Sequence, residues 1–443
     1  MALASSARAA AAAALLLASA ITVHAQTGQT AQIPLQFDFL NPGAQSLALG
    51  SAFVAVAEDA TTAFTNPAGL TLTFRPEISA ELRYRVLDTP YLSGGRLSGV
   101  PSGRGLDVIA SPSHGISGDS ALRPYFLAFV YPLKRWSVAG YRHELVIQRN
   151  AFLSEGPFYS AGGVINNARL FGLLGDRDIR IVTYGASAAY KVSDHLSLGE
   201  GIIFHHFSLD SHFASLGFSG DTFSRADVQT AGQRSTTQQR GEGTQATVNV
   251  GAQVTVNPAF RIGAVYRQSA SFFFTETINV PETPTAVSVG TFRTPGLMGA
   301  GVRLQPWEAW TISIDYDRVQ YSHLTTHFVT FQVDPSVVNR VGIPDGNEIH
   351  FGAEYTLSGK VSLRGGLWFD PNHAIQYVSD GSASDLDTRL KAVFPGGANA
   401  WHYCGGVGIT LSRAWEVNVG GDFTAQRRYA SSSVVARFGK PRP

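Results

Sequence analysis

A single cysteine, Cys404, among 443 residues leaves no disulfide framework and no cysteine-based metal site to be built within the chain. Charged side chains are scarce, at 15%, where soluble domains carry about 25%. The net charge is +1, so no basic excess exists to neutralise phosphates, and nucleic acid is not expected as a partner. Beyond the N-terminus no apolar run approaches the ~20 residues that a transmembrane helix needs. Enzyme signatures fail as well. His143-Glu144 lacks the second histidine of a zincin helix. Gly185-Ala186-Ser187-Ala188 lacks the second glycine of a nucleophile elbow. Gly299-Ala300-Gly301 sits inside a strand-like run, and the adjacent His205-His206 point to opposite faces of a strand, so they cannot share a metal. No catalytic centre, no cofactor and no metal site is expected.

What is present is glycine, at 46 residues, and aromatics, at 11%. Both suit a barrel wall, with aromatics at the membrane interfaces and glycine in turns and crowded interiors. Residues 1–25 read as a secretory signal: Arg8, an apolar run from Ala9 to Ile21, and Val23-His24-Ala25 before a cleavage site at Gln26. Residues 26–75 lack clean period-two patterning and read as a compact N-terminal plug with short helical turns. From 76 to 443 the pattern is strands. Ile78, Ala80, Leu82, Tyr84 and Val86 alternate with Glu77, Ser79, Glu81, Arg83 and Arg85, one apolar face opposite one polar face. Gln245 to Thr255, Trp310 to Asp317 and Trp415 to Thr424 repeat the pattern.

On that basis strands are predicted at 76–87, 123–132, 135–147, 178–191, 194–208, 243–256, 258–275, 291–304, 307–321, 346–357, 360–370, 399–411, 414–426 and 430–439. This is an all-β, 14-stranded antiparallel transmembrane β-barrel with an N-terminal plug. Tiny turns alternate with long loops at 88–122, 148–177, 209–242, 276–290, 322–345 and 371–398. Short turns belong in the periplasm and long loops outside the cell, so both termini are expected to be periplasmic. Tyr131, Trp136, Tyr190, Phe260, Trp310, Tyr355 and Trp415 gather at the short-turn ends as an interfacial girdle. The expected lumen is wet. Asp315 and Asp317 share its face and are expected to pair with arginines of neighbouring strands, and Cys404 is a small lumen-side packing residue. Arg83, Arg85, Arg267 and Arg303 point inward and are candidates for holding a ligand carboxylate.

The run from Gly43 to Leu70, with Asn66-Pro67-Ala68-Gly69 near its end, strongly resembles the N-terminus of the FadL-type family of outer-membrane long-chain fatty acid and hydrocarbon transporters. Thr294 to Leu297, Trp310 to Tyr316 and Gly366 to Pro371 resemble barrel segments of the same family. The resemblance implies a plug motif at Asn66, Pro67, Ala68 and Gly69 and a groove among the extracellular loops that captures hydrophobic ligand. It also implies a lateral exit through a kinked third strand. Capture candidates are Phe152, Phe158, Phe171, Leu173, Phe213 and Phe218, and the kink candidate is Gly140. The chain departs from the family after Phe438, where Gly439 to Pro443 follow the aromatic that usually ends the last strand.

The reading is passive import of fatty acids or hydrocarbons by a monomer in the bacterial outer membrane, with hydrophobic small molecules and membrane lipids as partners. The alternative is a barrel of the same fold that serves as a structural or secretion-associated protein-binding module.

Overall fold

The computed structural model describes residues 39–441, apart from 97–99, 101–108, 110, 161–166, 170–171, 218–231, 326–340, 379–386, 388–390, 392–393 and 395. The proposed signal segment, Phe171 and Phe218 lie outside the described residues.

Fourteen antiparallel strands close into a barrel. They are β1 (Glu77–Gly95), β2 (Pro112–Pro132), β3 (Trp136–Ser154), β4 (Leu173–Lys191), β5 (Leu196–Gly217) and β6 (Gly232–Asn257). Next come β7, in the pieces Phe260–Arg267 and Ser271–Asn279, and β8, in the pieces Ala286–Arg293 and Leu297–Trp307. The rest are β9 (Trp310–Val319), β10 (Gly346–Ser358), β11 (Val361–Asp370), β12 (Ala400–Thr410), β13 (Trp415–Phe423) and β14 (Arg427–Arg437). The ring shuts where β1 meets β14, from Glu77↔Arg437 to Leu87↔Arg427.

The alternation seen in the sequence sets the faces. Ile78, Leu82 and Tyr84 are exposed on the outer wall, whereas Glu77, Ser79, Glu81 and Arg83 are buried inside. Val248, Val250 and Val254 point out, and Thr247, Asn249 and Gln253 point in. The outer face is therefore an apolar band, with Trp136 against Tyr190 and Trp310 against Tyr355 at its short-turn edge.

Several strands run well past their predicted ends. Pro112 to Leu122 pairs with β1 up to Gly95↔Pro112, although it reads as loop in the sequence. The upper ends stand beyond the apolar band, so neither face is under pressure to be hydrophobic and the period-two contrast fades. Phe152, Leu173 and Phe213 consequently lie on strand extensions rather than loops, paired through Phe152↔Gly175, Leu173↔Ser215 and Gly175↔Phe213.

The lumen also differs from expectation. Its lower half is polar, but above it Ile179, Ile181, Phe207, Leu209, Phe272, Phe274 and Phe292 point inward and are buried in one apolar cluster with Phe64 and Phe126. Phe207 stacks on Phe272 and Phe292 at 4.7 and 5.3 Å between ring centroids.

Residues 39–73 occupy the barrel interior. Two short helices, Ala44–Ala48 and Thr62–Thr65, precede a 3-10 turn, Pro67–Leu72. Wall side chains satisfy their exposed backbone groups. Glu81 accepts from the Gly43 N–H at 2.7 Å, and Asp315 accepts from the Val54 N–H at 2.7 Å. Ser187 donates to the Ala63 carbonyl at 2.7 Å, and Asn249 donates to the Phe64 carbonyl at 2.7 Å. So few helical residues could not hold a fold alone; the wall supplies the order.

Candidate functional site

The most unusual part of the wall lies between β2 and β3. These strands of 21 and 19 residues share only seven pairs, from Pro132↔Ser137 to Phe126↔His143. On their other sides each forms eighteen, β2 with β1 and β3 with β4. Above His143 the seam between them is unpaired in its backbone.

Three local features separate the strands. Pro124 has no N–H to donate to β3. Tyr125 is an extra residue in β2, since Glu81 pairs with Phe126 and Leu82 with Pro124. Leu145 is an extra residue in β3, since Glu144 pairs with Val182 and Val146 with Ile181. Two bulges thus face each other across one seam. Side chains bridge the gap at its upper end, where the Arg149 N–H meets Asp119 at 3.3 Å and the Ala151 N–H meets Ser117 at 3.0 Å.

Gly140 is not the break. It is regularly paired with Phe129 and Ala186. A glycine lowers strand stability without removing a donor, whereas the proline and the paired bulges remove the ladder itself. The irregularity lies five residues on, at Leu145.

Behind this window is a cavity of about 50 Å³. Leu40, Leu87, Leu145, Val146, Ile147 and Tyr429 line it together with Arg83, Arg85 and Arg123. Glu144 borders it and is approached by Arg142 at 3.1 Å, Arg180 at 3.8 Å and Arg123 at 4.0 Å. Arg83 pairs with Glu81 at 2.8 Å and lies over the Tyr125 ring at 3.6 Å. Arg85 pairs with Asp119 at 2.6 Å. Each lining arginine still has a buried nitrogen without a hydrogen-bond partner: Arg83 Nη1, Arg85 Nε and Arg123 Nε. The donors thus exceed the acceptors the protein supplies.

The other candidates are scattered. Arg267 is buried beside Asn41, with its guanidinium 2.9 Å from the Asn41 Oδ1 and over the Phe64 ring at 4.3 Å. Arg83 also reaches Asn41, at the backbone carbonyl, so one residue of the N-terminal segment joins both arginines. Arg303 sits by the short turns, donating to the Pro258 carbonyl and Gln305, away from the other three. Of the capture candidates, Phe152 and Phe213 meet at 6.0 Å over Gly175, and Phe152 and Phe158 are buried rather than exposed. Phe152 and Phe213 pack the upper inner wall because strand pairing carries their side chains inward, whereas Phe158 begins a short strand, Phe158–Ser160, paired with Asn167–Arg169 outside the barrel sheet. Leu173 lies at the start of β4. Arg123, which is not among the inward arginines read from the sequence, also lines the cavity; Pro124 beside it, a proline inside a strand pattern, is the signal that marks a free edge.

Asn66 to Gly69 form the start of the 3-10 turn. The Asn66 side chain accepts from the Ala68 N–H at 3.2 Å and donates to the Val54 carbonyl at 3.0 Å and the Ala252 carbonyl at 3.3 Å. Pro67 at the first position needs no donor there. The turn sits flush on Gly199 and Gly251, where a Cβ would come within 2.4 Å of Ala68 and 2.0 Å of Asn66. Only glycine admits so close an approach.

The sequence profile of the outer membrane protein transport protein family (OMPP1/FadL/TodX) matches residues 167–383, just under half of the chain. A FadL homologue from Pseudomonas aeruginosa superposes at TM-score 0.61 and 13% identity, covering 92% of this chain and 100% of that one. The match is to the FadL type. The toluene transporter TbuX of Ralstonia pickettii gives TM-score 0.56 at 17% identity, with 91% of this chain and 100% of that chain covered. The toluene transporter TodX of Pseudomonas putida gives 0.54 at 13% over the same shares. No curated protein matches by sequence. At such identities the structures establish a common fold. The matching profile, that of an outer-membrane transport protein family, together with the apolar outer band fits a place for this barrel in the bacterial outer membrane.

Proposed function

We propose that this barrel passively imports hydrophobic molecules bearing an anionic head, long-chain fatty acids first among them, and releases them sideways through the β2–β3 window. The observation that carries the reading is the cavity behind that window. Its apolar side chains match an alkyl chain, and its three arginines offer unpartnered N–H groups to a carboxylate. A neutral hydrocarbon has no use for those donors and would leave them buried and unsatisfied, at roughly 1–3 kcal/mol each.

The path starts at the upper aromatic cluster, passes the N-terminal segment, and leaves between strands whose backbones are not joined. An apolar solute gains from such a path because it exits towards lipid rather than water. The cavity is far smaller than a fatty acid, so this is a closed form. Opening requires the N-terminal segment, which acts as a hatch, to withdraw Leu40 from the cavity wall. Both termini are periplasmic in this reading, residues 1–25 are removed on export, and the protein works as a monomer without cofactor.

The test is uptake by cells that lack other importers and express this chain, comparing a long-chain fatty acid with a neutral alkane of equal length. In Arg123→Gln, fatty acid uptake is expected to fall about tenfold, a loss of about 1.4 kcal/mol, with alkane uptake unchanged. Equal uptake of both solutes by the wild type, unaffected by the substitution, would remove the anionic head from the proposal.

A further inference from the structure

A second constellation lies across the lumen from the window. Asp317 on β9 pairs directly with Glu348 on β10, and His350 is on the same face of β10 opposite Asp315. All three side chains are buried, and one ligating atom of each lies within 4.8 Å of the others. This follows from β-geometry: a cross-strand pair and the next in-facing residue share one face.

The orientation of the His350 ring is set. Its Nδ1 is 2.8 Å from the Gly50 carbonyl, which can only accept, so Nδ1 carries the proton. With Nδ1 held as the donor, Nε2 is the ring nitrogen left to face a ligand. It has no hydrogen-bond partner and points between Glu348 at 3.4 Å and Asp317 at 3.8 Å. Those separations exceed the usual hydrogen-bond length of about 2.7–3.2 Å. They resemble the spacing of ligands around one ion: two donors each about 2.1 Å from a tetrahedral metal are about 3.4 Å apart. Outer contacts are in place too. The Tyr321 hydroxyl donates to Glu348 Oε1 at 2.7 Å, and the His350 ring stacks on Trp368. Gly299 opposes Asp317 in the ladder, and a Cβ there would meet Asp317 Oδ1 at 2.2 Å. That carboxylate oxygen is itself buried without a partner.

We infer that Asp317, Glu348 and His350 bind a divalent transition-metal ion, with Zn²⁺ as the reference ion. One imidazole and two carboxylates form a mixed nitrogen–oxygen set suited to such ions. The ion neutralises two carboxylates facing each other away from water. It also acts on the hatch: the histidine that binds the ion holds the Gly50 carbonyl, as metal-bound histidines commonly hold a carbonyl with the other nitrogen. The site therefore pins the N-terminal segment to β10, on the side opposite the window.

The test uses tag-free full-length protein in detergent, stripped with chelator and titrated with Zn²⁺, with bound metal read by elemental mass spectrometry. Wild type is expected to bind one equivalent. His350→Gln and Glu348→Gln, each near-isosteric, are expected to weaken binding by about tenfold or more while the barrel keeps its heat-modifiable migration in SDS gels. Metal should also protect the segment around Gly50 from protease in the wild type and not in His350→Gln. A wild type that binds no Zn²⁺, or that binds it equally well in both folded variants, would overturn the proposal. If one variant fails to fold, the other and the protease readout on wild type still decide the matter.

Discussion

The two seams that flank β3 teach more together than either does alone. On one side β3 and β4 stay joined for eighteen pairs; on the other β3 and β2 are joined for seven. The same strand, with the same composition, is therefore half of a tight seam and half of an open one. Strand propensity cannot explain this, since it belongs to the strand and not to the seam. The difference lies in what faces β3: an unbroken ladder on β4, and a proline followed by a bulge on β2. β4 also takes up the extra residue Leu145 with a one-residue shift in register and stays paired with β3 beyond it.

The comparison can be broken by repairing the weak seam. Deleting Tyr125 and Leu145 together with Pro124→Val removes both bulges and restores a donor. The β2–β3 ladder should then extend upward, and import should fall at least tenfold in the cellular uptake assay while the barrel still folds. Full uptake by a folded, repaired barrel would break the link between seam and exit.

The next largest effect is on the contact between β1 and the N-terminal segment beside the window. Arg83→Met leaves Glu81 buried without its cation, and Glu81 also holds the Gly43 N–H and the Ser431 hydroxyl. A loss of about 3–5 kcal/mol is expected, read as a lowered denaturant midpoint. Asn66→Ala removes the cap of the 3-10 turn and its bonds to Val54 and Ala252. About 1–2 kcal/mol should be lost, visible as faster proteolysis of the N-terminal segment with the barrel intact. At the tight seam, Trp136→Ala removes a ring 4.7 Å from Tyr190. It should cost only about 0.5–1.5 kcal/mol and leave uptake unchanged, which makes it the control for the other three.

How much of this was legible beforehand varies with distance along the chain. Strand number and facing came from local alternation: Glu77, Ser79, Glu81 and Arg83 point inward, as their parity requires. The upper strand ends were not legible, because Pro112 to Leu122 has no apolar face to advertise a strand. The apolar upper lumen was hidden for a related reason. Phe272, Phe273 and Phe274 are hydrophobic on both faces, so alternation cannot say which faces inward. Of the site, Arg83 and Arg85 were found by parity, but their meeting with Arg123, Leu145 and Leu40 depends on the strand order and on where the N-terminal segment settles. Asp315 and Asp317 were expected to pair with arginines. Instead Asp315 holds the Val54 N–H, and Asp317 faces Glu348 and His350. Only the β9–β10 register brings those residues together.

The most direct measurement is amide hydrogen exchange of the folded protein in lipid nanodiscs, comparing segments 118–125 and 145–150 with 126–132 and 137–143. The account predicts that the first two exchange much faster than the second two, because their backbone groups have no ladder between β2 and β3. Equal protection along the whole of β2 and β3 would mean that the seam is closed, and would contradict the proposed exit.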